Sequence, residues 1–308
     1  MDNSRHPLVV AAAALVIRRA GAVQARRVAG LAALLIASAT TLTAHDFWLV
    51  PDAFAVATGS RMTLRGQTSS LFPSSLSAVT PDRIVAAVVM TDKTTIPVRN
   101  VSVDGASLRI SHSPAGASQH VIGVQLATRS VRESPASFRR YLDLEGAPEA
   151  RLRFERAGLL PTVGGDSITR RYAKYAKTIV EVGNGPRAFH RIVGHPLEFV
   201  PLSDPSKLRS GDTLRVRLML LGKAAPFARL HAGSVALTPG SRRDTIAARQ
   251  AAARDVSLET DSTGVAAIVI RNAGLWNVRT LQIVPAATGS GADWDVHWAT
   301  LVFRALRR

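Results

Sequence analysis

The chain has no cysteine among its 308 residues. Disulfides and thiolate metal sites are therefore closed to it, and any metal must be held by His, Asp, Glu or backbone groups. Catalytic signatures are missing too: the sequence has no Gly-x-Ser-x-Gly elbow, no His-Glu-x-x-His helix and no Gly-x4-Gly-Lys-Ser/Thr phosphate loop, which sets the expectation of a protein that is not an enzyme. Lysine is scarce, at five of the 39 basic residues, which face 22 acidic ones for a net charge of +17. The arginines are scattered in short pairs such as Arg139-Arg140 and Arg170-Arg171. With no binding motif beside them, they predict no nucleic-acid partner. They are compatible with a solvated basic surface or with weak attraction to anionic headgroups and wall polymers. Beyond the first 44 residues no apolar run approaches the roughly 20 residues of a membrane helix, so the mature chain is expected to be soluble, with no transmembrane segment and at most peripheral membrane contact.

What the sequence does have begins at its amino end. Residues 28–39, VAGLAALLIASA, follow Arg26 and Arg27 and match the charged and apolar regions of a secretory signal. Ala37-Ser38-Ala39 offers one cleavage site, releasing a chain that starts at Thr40, and a cut after Ala44 would instead expose His45. A signal peptide over residues 1–44 and a periplasmic or secreted location follow as expectations. Without those residues the chain keeps 34 basic and 21 acidic side chains, a net charge of +13.

From residue 47 the pattern is mostly of period two: FWLVPDAFAVA, RMTLR, DRIVAAVVM, SLRISH and QHVIGVQL run for strand lengths between turn formers. A hairpin centred on Gly116 would set Ile110 opposite Ile122, Leu108 opposite Val124 and His112 opposite His120. Helix formers, a Ser134 or Ser137 cap and stops at Gly146 and Gly158 predict a short helical insert at 134–160. In SITRRYAKYAKTIVEVG, Tyr172, Lys174, Ala176, Thr178 and Val180 share one face, while Ala173, Tyr175, Lys177 and Ile179 share the other. Its charges are expected to meet the acidic 143–155 region or solvent. The Gly- and Pro-rich stretch 184–205 is expected to be a linker. Six alternating segments follow it, and 241–255 is expected to be a surface loop. The fold class predicted is all-β: two antiparallel β-sandwiches of immunoglobulin or transthyretin type, at 45–190 and 191–308.

If cleavage follows Ala44, the amine and imidazole of His45 can chelate one ion, a grip that suits copper, nickel or zinc. The candidates for further ligands are Asp46, His195, His297 and the pair His112 and His120. Phe47 and Trp48 are expected to be core anchors of the first strand, and Trp276, Trp294 and Trp298 those of the second domain.

The segments AHDFWLVP, RRYAKYAKTIVEVG, GHPLEFVPLSDP, LLGKAAP, GLWNVR and DWDVHWATLVF occur in an order that resembles the exported bacterial family of domain of unknown function 4198. The resemblance spans nearly all of 44–304. Members of that family are often described as periplasmic components of nickel or cobalt uptake systems. It implies paired β-sandwiches, a histidine at the mature amino end matched by His45, and a junction histidine matched by His195. Taken with the candidate ligands above, it sets the expectation of a divalent transition metal (nickel, cobalt or copper) at His45, Asp46, His195 and His297, and of a partner that is a metal-uptake permease or another envelope protein. Two positions depart from the pattern: Gln67 and Gln282 stand where many relatives carry histidine, and an amide is a far poorer ligand than an imidazole. The alternative reading is a non-metal interaction module that holds a protein, an envelope polymer or a membrane surface.

Overall fold

Alternating apolar and polar residues bounded by turn formers make strands that bury one parity and expose the other; a strand covered on both sides reads as nearly continuous apolar sequence. The computed structural model describes residues 46–145, 148–235 and 255–308. The signal segment, His45, Gly146 and the 241–254 part of the predicted loop lie outside the described residues. In chain order the elements are β1 (Asp46–Pro51), β2 (Ala55–Val56), β3 (Met62–Ser69), β4 (Ile84–Met90), β5 (Thr95–Pro97), β6 (Val101–Asp104), β7 (Ser107–His112), β8 (Ser118–Leu126) and β9 (Arg129–Glu133). Two helices, α1 (Pro135–Leu144) and α2 (Pro148–Arg156), precede β10 (Ile168–Val182). Then come β11 (Leu197–Pro201), β12 (Thr213–Leu220), β13 (Lys223–Ala224), β14 (Arg229–Val235), β15 (Val256–Glu259), β16 (Val265–Val269), β17 (Gly274–Pro285) and β18 (Trp294–Ala305).

The fold is all-β, with three sheets in layers. A ten-stranded sheet runs β15-β14-β17-β18-β10-β8-β4-β5, with β2 and β9 added to β10. The sheet β1-β3-β7-β6 covers one face of it, closing a core of Phe47, Leu49, Leu64, Ile110, Ile122 and Val180. The sheet of β11, β12, β13 and β16 covers the other face, over Tyr175, Phe199, Leu218, Leu230, Trp276 and Leu301. The two sandwiches thus share their central sheet. β10 is the hinge of this arrangement: it pairs in parallel with β18 and antiparallel with β8 and β9. Its even positions Ala176 and Val180 enter the first core and its odd positions Ala173, Tyr175 and Ile179 the second, as the two-face reading of its sequence predicts.

The helical insert is present. Ser134 caps α1 by accepting the Ser137 N–H at 3.2 Å, with Pro135 in the first turn. Gly158, at φ +66°, follows α2 in the left-handed conformation that glycine supplies at a helix end. The inner face of the pair is apolar: Phe138 and Phe154 lie with ring centroids 5.3 and 4.7 Å from that of Trp294.

Three expectations are corrected. Residues 107–126 are not a hairpin: β7 pairs with β3 and β6, β8 pairs with β4 and β10, and the chain at Gly116 crosses from one sheet to the other. Leu108, Ile110, Ile122 and Val124 still share one core, because residues that face each other across a sandwich follow the same alternation as residues paired in a hairpin. The stretch 184–205 is more than a linker, since LEFVP within it is β11, buried at all five positions. The charges of β10 are not left to solvent. Arg170 pairs with Glu133 at 2.7 Å and lies 3.8 Å above the Tyr141 ring, and Lys177 is sealed inside against Glu198 at 2.8 Å.

Candidate functional site

The central sheet decides which predicted ligands can meet. Gln282 is directly opposite His297 in the β17–β18 ladder, while Arg279 is opposite Thr300. Thr300 donates to the Phe47 carbonyl at 2.7 Å, so Thr300 and Arg279 face β1. By alternation His297 and Gln282 face the other way, toward β11 and β12. There His297 Nδ1 and the Tyr175 hydroxyl share a hydrogen bond of 3.0 Å, and His195 packs on the same tyrosine at 5.4 Å between ring centroids. Burial pushes the Tyr175 hydroxyl up and the His297 ring down. His195 is 6 % exposed and neither ring nitrogen has a hydrogen-bond partner. Burial, reinforced by the Lys177 ammonium, drives its pKa down to about 3. The backbone makes room for this ring at Gly123, where a Cβ would lie 3.1 Å from His195 Cε1.

Asp46 stands on the opposite face. Its Oδ2 meets Arg279 Nε at 3.3 Å, and Arg279 in turn holds Asp255. Burial raises the Asp46 carboxyl, against the pull of Arg279 and Lys174. The sheet therefore keeps Asp46 out of any coordination sphere that contains His195 and His297. Among the described residues no three His, Asp or Glu side chains are grouped to hold one ion. His45 lies outside the described residues, so its chelate has no described position. Of the two glutamines, Gln67 is a buried link that accepts from Trp48 Nε1 at 3.3 Å and donates to Ser107 Oγ at 3.4 Å. Gln282 donates to Thr280 Oγ1 at 3.2 Å beside His297.

His112 and His120 come together despite the lost hairpin, with ring centroids 5.9 Å apart. His120 Nδ1 lies 3.0 Å from the Ser118 carbonyl, which assigns the proton to that nitrogen, and His112 Nε2 is buried without a partner. Burial lowers the pKa of both rings.

A different kind of surface lies on the outside of the helical insert. Twelve large apolar side chains are strongly exposed among the described residues, and four of them fall between 144 and 163: Leu144 (76 %), Val163 (64 %), Leu152 and Leu159. Around them Arg140, Arg153 and Arg156 are exposed. Two acids of the insert are held by other arginines, Asp143 by Arg151 at 2.5 Å and Glu155 by Arg139 at 3.0 Å. Exposed leucines and arginines are what the helical pair leaves uncovered while its aromatic face packs against Trp294. The sequence shows the insert, but not which leucines stay outside, because that depends on where Trp294 docks.

Comparison with known proteins gives one family match: the family model described as Domain of unknown function (DUF4198) aligns with residues 42–283. No curated protein matches the chain. Among solved structures, the D0-D1 domain of intimin is 9 % identical at a TM-score of 0.19, over 83 % of this chain and 96 % of that one. The Yersinia pseudotuberculosis adhesin InvE is 13 % identical at a TM-score of 0.20, over 84 % of this chain and 58 % of that one. A DUF4785 family protein from Legionella pneumophila is 8 % identical at 0.20, over 75 % and 51 %. The chain thus spans little more than half of the last two. Superpositions at this level carry nothing about activity. No helix among the described residues is long and apolar enough to cross a membrane.

Proposed function

This chain belongs to the DUF4198 family, and we propose that it is a non-catalytic, extracytoplasmic β-sandwich module that docks reversibly on anionic membrane surfaces through its helical insert. The observation that carries this reading is the outer face of α1 and α2, where Leu144 and Leu152 are exposed together with Arg140, Arg153 and Arg156. Apolar side chains of an interfacial element enter the headgroup boundary, and each cation near an anionic surface adds about 1 kcal/mol. Three arginines and a few leucines give weak, reversible attachment. The apolar run behind Arg26 and Arg27 supports export, and the net positive charge supports approach to an anionic leaflet. Purified protein should co-sediment with phosphatidylglycerol-containing vesicles and not with pure phosphatidylcholine. Binding should weaken as salt rises from about 0.1 M to about 1 M, where the Debye length shrinks from about 10 Å to about 3 Å. Equal binding to both vesicle types, or to neither, would remove this function.

A second reading, a periplasmic accessory of metal uptake with a permease or another envelope protein as partner, draws on His195. A buried imidazole with both nitrogens unbonded, next to the Tyr175–His297 pair, is a donor set that suits nickel, cobalt or copper. The residues that would hold the ion are His195, His297 and Tyr175, apart from any contribution of His45. Titration calorimetry with these metals on the secreted protein should give a stoichiometric site that weakens at least about tenfold in His195→Ala; unchanged affinity in that variant would end this reading.

A further inference from the structure

Three strands bring nitrogen and sulfur donors to one end of the first sandwich. His120, on β8, pairs with Val180 of β10, and Val180 belongs to the first core, so the His120 ring leaves the central sheet on that side. His112 is the last residue of β7 in the covering sheet, and its ring centroid lies 5.9 Å from that of His120. Directly opposite His112 in the β3–β7 ladder is Met62, the buried first residue of β3. Paired residues leave the same face of a sheet with Cβ atoms roughly 5 Å apart, so the flexible thioether of Met62 enters the space that the rings share. The rings are held as ligands are held. His120 Nδ1 donates to the Ser118 carbonyl at 3.0 Å, the outer contact that commonly orients a metal-binding histidine and leaves Nε2 as the donor. His112 Nε2 is buried without a partner, a cost for which packing offers no return. Burial lowers the pKa of both rings, which keeps them neutral and ready for a cation. The site is not sealed, because His112 is only half-buried, beside the chain that crosses between the sheets at 113–117.

The donors define the ion. No acid joins the two histidines among the described residues, and the chain has no thiolate to offer. Calcium and magnesium need oxygen ligands, and structural zinc takes four donors from Cys, His, Asp or Glu. A thioether beside imidazoles instead selects copper in its cuprous state. Bonds of about 2 Å from one ion to two imidazole nitrogens place the ring centroids roughly 5–6 Å apart. The observed 5.9 Å meets that spacing without movement of either strand. We propose that His112, His120 and Met62 form a binding site for a cuprous ion, held by the two imidazoles with the Met62 thioether as third donor. His195 packs at Gly123 on the opposite face of the central sheet, so this site is separate from the His195 pocket. It does not depend on the membrane-docking insert.

The test is anaerobic titration of the purified full chain, without lipid, with Cu+ in competition with a chromogenic cuprous chelator. The parent should hold one equivalent of copper in this way. Met62→Leu conserves core volume and should weaken binding at least about tenfold, since loss of a ligand costs no less than loss of an outer contact. His112→Gln, at the half-buried rim, should weaken it at least as much. His195→Ala should leave it unchanged. X-ray absorption at the copper edge should show a sulfur neighbour in the parent and none in Met62→Leu. The sulfur signal of the parent decides the matter even if a variant folds poorly. No copper held by the parent, unaltered affinity in Met62→Leu or His112→Gln, an edge without sulfur, or a loss in His195→Ala equal to that in His112→Gln would overturn the assignment.

Discussion

Replacing Lys177 with alanine should cost about 3–5 kcal/mol of folding stability, a large share of the roughly 5–15 kcal/mol that such a domain has. Lys177 and Glu198 each expose 2 % of their side chains and meet at 2.8 Å. The ammonium also donates to the carbonyls of Phe199 at 2.9 Å and Arg191 at 3.3 Å. The carboxylate accepts the N–H groups of Val193 at 3.0 Å and Gly194 at 3.2 Å. The pair thus ties β10 to β11 and pins the irregular segment before it. Burial depresses the Lys177 pKa, and Glu198 is the charge that opposes that shift. Removing the lysine strands a carboxylate in the core, and this isolation is more costly than the loss of the attraction itself. The combined variant Lys177→Met with Glu198→Leu should recover much of the loss, short of full recovery because two backbone N–H groups lose their acceptor. Urea midpoints for the three proteins test this; a shift below about 1 kcal/mol in Lys177→Ala would mean that the pair is open to water.

Acid should destabilise the protein well above the range in which carboxylates titrate, and His195 should be the main cause. In the unfolded chain its imidazole titrates near 6.5, whereas in the fold its pKa is about 3. Between those values the unfolded state holds a proton that the folded state does not, so stability is complete above about pH 6.5 and falls as the pH drops. From about pH 7 to about pH 5 this one group removes about 2 kcal/mol. His112, His120 and His297 are shifted in the same direction by burial and add to the loss. Asp46, shifted upward, acts in the opposite sense closer to its own titration range. His195→Phe keeps a ring against Tyr175 without a titrating group, and should flatten the stability-versus-pH curve by about the same 2 kcal/mol. A curve of unchanged slope in that variant would place a partner on His195 that the structure does not have.

These two groups show what the sequence could and could not reveal. The alternation of β10 places Lys177 with Tyr175 and Ile179, but both parities of this strand become core, so alternation did not reveal that the charge is buried; its partner was hidden too, because Glu198 lies in a stretch whose glycines and prolines read as a linker. The α1 cap at Ser134 was readable because capping is local. Register at Gly116 was not, because the same alternation serves two strands of one hairpin and two strands facing across a sandwich. His195 and His297 were singled out as histidines, and the sheet does bring them to one tyrosine. Their separation from Asp46 follows from which face of β17 each neighbour occupies, and that depends on pairing between residues far apart in the chain.

The central claim is that the outer face of the helical insert enters an anionic interface. Because the chain has no cysteine, a single cysteine at Leu152→Cys can carry an environment-sensitive fluorophore, with Val103→Cys, exposed on a strand of another sheet, as the comparison. On addition of phosphatidylglycerol-containing vesicles, emission from position 152 should shift to the blue and become protected from an aqueous quencher, while position 103 stays unchanged. No shift at 152, or an equal shift at both positions, would contradict the claim.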